Sequence, residues 1–107
     1  MLRIYSVARE ACREVGAIAR KVGREDRDLA PQMRRAMSSV LLNLREGSYS
    51  QGGNRNARYY SAMASANEVL GCLDCAEDLQ FAHIDRTTRD RLDHVIATLM
   101  QITGARR

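Results

Sequence analysis

The chain predicts an all-α protein, an antiparallel up-and-down four-helix bundle, on three observations. Apolar residues recur at spacings of three and four along four segments, short breaks divide those segments, and no alternation of period two runs long enough to compete. Composition agrees, because 45% of the 107 residues are apolar but only 5% aromatic, with one proline and no tryptophan. The interior must then come from Ala, Leu, Val and Met, residues that mostly suit helices. Length sets one domain, 1–107, which can bury about two thirds of its unfolded surface.

The first helix is expected from about Arg3 to Val22, where Ile4, Val7, Ala8, Ala11, Cys12, Val15, Ile18, Ala19 and Val22 form an apolar stripe that Gly23 ends. A charged turn, Arg24 to Asp28, follows. Asp28 or its neighbour caps the second helix, and Pro31 sits in its first turn, where a missing N–H costs nothing. That helix should reach Glu46, with Gly47 in the left-handed conformation that closes a helix end. The stretch SYSQGGN reads as the longest loop. A third helix runs from about Arg55 to Gln80, with Tyr59, Ala62, Met63, Ala66, Val69, Leu70, Leu73 and Ala76 inward. Ile84 and Asp85 break the chain again, Asp85 as N-cap, and the last helix ends at Gly104. Short connections make successive helices antiparallel.

No run of about 18 apolar residues could cross a bilayer, and the charges scattered through Met1 to Val22 fit no signal peptide. Three cysteines, Cys12, Cys72 and Cys75, are too few and odd in number for a secreted disulfide framework, so a reducing cytoplasm is expected. Seventeen basic against thirteen acidic residues give +4, and every basic residue but Lys21 is arginine. Guanidinium forks onto phosphate, which suits nucleic acid, although an arginine excess also follows from a GC-rich coding sequence.

The stretch Gln32 to Gly47, QMRRAMSSVLLNLREG, interrupts an apolar stripe with polar residues: Ser39 and Asn43 stand four apart on one side of the helix. It resembles the signature QLRRAAxSIPxNIAEG of the four-helix proteins encoded in intervening sequences of 23S ribosomal RNA genes. Gln32, Arg34, Arg35, Ala36, Ser39, Asn43, Glu46 and Gly47 occupy the expected places. Further on, Ala62, Ala64, Ser65 and Glu68 resemble that family's A-x-G-S-x-x-E, with Ala64 for glycine. Two departures are Leu41 where the family has proline, which should weaken a kink, and Arg45 where it has alanine, which adds a charge near the loop. The resemblance implies a bundle that assembles as a ring of five. It also implies kinship with the accessory variability protein of diversity-generating retroelements, which is basic and associates with nucleic acid and a reverse transcriptase. Nothing in spacing or composition here shows five-fold symmetry.

If the second and third helices form a hairpin, residues equidistant from the turn face each other. That predicts an ion pair from Arg34 or Arg35 to Glu68, places Asn43 and Glu46 near Arg58, and sets Ser39 near Ala62. Arg34, Arg35, Ser39, Asn43, Glu46, Ser65 and Glu68 then read as a polar network fixing helix register or a subunit contact. The rival reading, a ligand or catalytic pocket, lacks a nucleophile or base.

Cys72 and Cys75 lie three apart inside a helix, without the companion ligand spacing that zinc needs or the helix-opening position of a redox pair, so small core cysteines are expected. His83, in a turn, and His94, on the last helix, each stand alone. No metal, cofactor or catalytic group is expected. Arg45, Arg55 and Arg58 flank the pliant loop with Tyr49, a pattern suited to phosphate contact and base stacking. The leading reading is a non-catalytic, self-associating, nucleic-acid-associated protein with these four residues as contacts. The alternative is an oligomeric scaffold that binds protein only.

Overall fold

The computed structural model describes residues 2–105. Four helices, α1 (Ile4–Val22), α2 (Leu29–Ser48), α3 (Gly52–Asp78) and α4 (Arg86–Thr103), make up the fold, and no strand occurs among the described residues. They lie side by side in a body 43 × 22 × 21 Å, a length that the about 1.5 Å rise of a 27-residue helix accounts for. Around the section the order is α1, α2, α3, α4. Each helix packs on the two beside it, and α2 with α3 shares the most extensive contact.

Small residues explain that contact. Ala36 and Gly47 of α2 and Ala62 and Ala66 of α3 are buried, with Gly47 against Tyr59, while Met33, Met37, Leu44, Leu73, Leu92 and Leu99 fill the centre. Ion pairs then close the bundle from outside. Arg91 of α4 bonds Glu10 and Glu14 of α1, and Arg89 bonds Asp74 and Glu77 of α3.

The helix ends correct several expectations. Gly47 is no cap: α2 continues to Ser48 with Gly47 buried inside it, because a Cβ there would stand 2.5 Å from Tyr59 Cε1. Its hydrogen atom makes room for a ring rather than for a turn. The loop shrinks to Tyr49, Ser50 and Gln51, since α3 opens at Gly52, which takes φ +57°. Asp28 makes no side-chain cap bond; Asp26 instead accepts the N–H groups of Asp28 and Leu29 through Oδ1, at 2.8 and 2.9 Å. Asp85 holds the N-cap position of α4 without a side-chain cap bond.

The end of α3 carries no glycine. Gln80 adopts φ +63°, and the Phe81 N–H reaches back to the Ala76 carbonyl at 2.8 Å, the closure glycine usually provides. Gly104, at φ +73°, does terminate α4 in the left-handed region. Through Leu41, α2 runs without a break.

Candidate functional site

The polar residues of α2 divide between the seam and the surface. Ser65 Oγ donates to Ser39 Oγ at 2.7 Å, and Asn43 Nδ2 donates to Ser39 Oγ and to its carbonyl oxygen, at 3.1 and 2.9 Å. Arg58 meets Glu46 at 3.0 Å, both half exposed. Ser39 therefore faces Ser65, not Ala62. The first turn of α3 projects past the end of α2, and pairing starts only where Arg58 meets Glu46.

Arg34 and Arg35 are exposed on the same side of α2, and with Ser38, Ser39, Leu42, Asn43, Glu46 and Arg58 they line a groove of about 450 Å³. No ion pair joins either arginine to Glu68, which corrects the expected pairing. Distance from the turn gives a residue's level but not its angle around the helix. Buried Val69 points inward, so its neighbour Glu68, about 100° round, points out to solvent.

The predicted contact residues all lie at the loop end, and the three arginines are each already engaged, Arg58 with Glu46. The Arg45 guanidinium lies over the Tyr5 ring, 5.9 Å from its centre, and that of Arg55 over Tyr59 at 5.4 Å. Stacking uses the face of the guanidinium and leaves its N–H edge available. Tyr49 is 77% exposed beside them. Because α1 begins where α2 ends, Arg3 joins this end, which carries Arg3, Arg45, Arg55 and Arg58 against one acid, Glu46, among the described residues. The far end is mixed, with Asp26, Asp28, Glu77, Asp78 and Asp85 among its basic residues. Charge is thus polarised along the bundle axis.

The cysteines divide. Cys72 is buried at 4% exposure, and burial, with Glu68 and Cys75 nearby, pushes its thiol pKa up. Cys75 is exposed, against the expectation of a core position, because the buried stripe runs through Val69, Leu73 and Ala76 with Cys72 at its edge, and the further about 60° from Cys72 to Cys75 carries the side chain off it. His83 stands 3.7 Å from Asp85 at the surface, and His94 is exposed on α4. Among the described residues, no group of three or more His, Cys, Asp and Glu is placed to hold a metal, and no helix is long and apolar enough to cross a membrane.

Residues 1–102 match the family described as 23S rRNA-intervening sequence protein. The chain belongs to that family. A crystal structure of a protein of unknown function from the S23 ribosomal protein family of Bacteroides thetaiotaomicron VPI-5482 has the same fold, with a TM-score of 0.85 at 14% identity, covering 94% of this chain and 97% of the other. No curated protein sequence matches.

For an intervening-sequence protein, the structure adds residues that spacing did not single out. Tyr5 and Arg3 belong to the basic end, and counting back from the first turn, with Val22 near Leu29, brings Tyr5 to the level of Arg45. Leu42, 61% exposed in the groove, hid in the motif as one more apolar residue. Tyr59 is fully buried, and its hydroxyl finds no hydrogen-bond partner among the described residues.

Proposed function

We propose that this intervening-sequence protein is a non-catalytic, self-associating bundle that holds nucleic acid against its basic end. The observation that carries the reading is that Arg45, Arg55, Arg58 and exposed Tyr49 share one end of a body whose charge is polarised along its axis. Guanidinium edges suit phosphate, and a free tyrosine ring suits a stacked base.

One copy offers few phosphate contacts, a level at which non-specific affinity at physiological salt is about 10⁻⁴ to 10⁻⁶ M. A ring of five, at +4 for each chain, would carry about +20 and set its basic ends side by side, so that weak contacts add through multivalency. A reducing cytoplasmic setting belongs to this reading, since three cysteines are too few and odd in number for a secreted disulfide framework.

The test is fluorescence anisotropy with a structured RNA and a duplex DNA across a salt series, with the protein's mass measured in the same buffers. Micromolar or tighter binding that falls steeply with salt is expected, and Arg45→Gln, Arg55→Gln and Arg58→Gln together should weaken it by about tenfold or more while helix content holds. Absence of binding at low salt, or unchanged affinity in the triple variant, overturns the reading and favours a scaffold for protein partners.

A further inference from the structure

The groove on the α2/α3 face, of about 450 Å³, is large enough for a small-molecule guest, and α2 with the start of α3 supplies its whole wall. Its charge is one-sided. Three arginines, Arg34, Arg35 and Arg58, stand against one carboxylate, Glu46, whose Oε2 already meets Arg58 at 3.0 Å. Arg34 and Arg35 enter no ion pair among the described residues. Two neighbouring guanidinium groups at one end of a groove suit the oxygens of a phosphate monoester, onto which each can fork.

Next along α2 comes Ser39. Its Oγ accepts from Asn43 Nδ2 at 3.1 Å and from Ser65 Oγ at 2.7 Å, which occupies both lone pairs and leaves its own hydrogen as a donor held in place. Asn43 spends its amide hydrogens on Ser39, so Oδ1, an acceptor, is what it has left to offer. The groove thus runs from a cationic end, past a hydroxyl, to Leu42, which is 61% exposed, and on to two acceptors, Asn43 Oδ1 and the Glu46 carboxylate.

That order describes a guest. Arg35 and Glu46 stand about 16 Å apart along the helix, a span that a free phosphate cannot bridge and an extended nucleoside monophosphate can, with a hydrogen bond at each end. At the far end the guest must donate, because the groups there accept. Guanine, alone among the common bases, sets two donors side by side on one edge, N1–H and the N2 amino group, and a carboxylate takes both while still holding Arg58. We infer that this groove binds a guanine nucleoside monophosphate, with its phosphate on Arg34, Arg35 and the Ser39 hydroxyl, its base on Leu42, and its donor edge against Glu46 and Asn43. The inference goes beyond the nucleic-acid reading and does not rest on it: the ligand is free and small, and the arginines on its phosphate are not those of the basic end.

Isothermal titration calorimetry on the full chain tests the site, with guanosine 5′-monophosphate, uridine 5′-monophosphate and guanosine as probes. An open groove with few contacts sets the expected Kd for guanosine monophosphate at about 10⁻⁵ to 10⁻⁴ M. Guanosine lacks the phosphate and uridine monophosphate the paired donors, so each should bind at least about tenfold more weakly. Arg34→Gln with Arg35→Gln should weaken guanosine monophosphate at least about tenfold while helix content holds, and Glu46→Gln should erase most of the preference over uridine monophosphate. Absence of guanosine monophosphate binding to wild type overturns the inference, as do equal affinities for the two nucleotides or binding that the arginine changes leave intact.

The same variant separates this site from the basic end. Structured RNA should bind the Arg34→Gln, Arg35→Gln protein within about threefold of wild type, since its contacts at the loop end are untouched. A loss of RNA affinity as large as that from changing Arg45, Arg55 and Arg58, in a chain that takes up no guanosine monophosphate, assigns the groove to nucleic acid and overturns this inference while leaving the nucleic-acid reading in place.

Discussion

Ser65 Oγ donates to Ser39 Oγ across the seam between α2 and α3, and the same Ser39 oxygen accepts a bond from Asn43 Nδ2. One hydroxyl oxygen thus joins the polar ladder along α2 to the facing helix. Ser39→Ala and Ser65→Ala should each lower stability by about 1 kcal/mol. A double-mutant cycle on urea unfolding should show a coupling of about 0.5–1 kcal/mol, and strict additivity would mean the bond contributes nothing.

Gly47 and Gly16 predict opposite signs for the same substitution. At Gly16 nothing lies within 4 Å of a new Cβ, so Gly16→Ala should gain about 0.5–1 kcal/mol from helix propensity. At Gly47 the Cβ meets the fully buried Tyr59 ring, which has no room to retreat, so Gly47→Ala should lose about 1–2 kcal/mol net despite the same propensity gain. Thermal melts of the two variants beside wild type check both signs.

Arg91 holds α4 to α1 through Glu10 and Glu14, with Thr88 donating to Glu14 from the buried side. The arginine side chain is 26% exposed, so its pairs are less screened than open surface pairs. Arg91→Gln should cost about 1–2 kcal/mol in low salt, and the difference from wild type should shrink in 1 M salt. A loss independent of salt would point to packing of the side-chain stem.

Burial raises the Cys72 thiol pKa, so the folded chain disfavours its thiolate. Stability from this group is complete below the ordinary value of 9.0 and is lost as pH rises from there through the raised folded value. Urea midpoints at pH 8 and pH 10 should therefore fall further apart in wild type than in Cys72→Ala. At neutral pH a thiol reagent should modify exposed Cys75 and spare Cys72 while the protein is folded.

Periodicity was enough to read the four helices, because their apolar stripes are regular and their ends fell within a few residues of the expected positions. What it could not read was the use of each terminal residue. A glycine after a helical run looks the same whether it turns the chain or admits a ring, and Gly47 admits Tyr59. Gln80 closes α3 with no glycine to announce it. In the site, the proximity of Glu46 to Arg58 followed from counting along a hairpin, whereas Glu68 escaped Arg34 and Arg35 because angle around α3 matters as much as level. Stacking of Arg45 on Tyr5 joins residues forty apart, and only the fold brings them together.

The three-residue connection between α2 and α3 bears on the order in which the chain folds. The most extensive helix contact is also local in sequence, so little loop entropy opposes its formation, while α1 and α4 must meet across almost the whole chain, as Arg91 does with Glu10. The α2–α3 hairpin is expected to form the nucleus, with high φ-values at Val40 and Val69 and low ones at Val15 and Val95. During synthesis the first helix would wait, unpaired along its second side, until the last one leaves the ribosome.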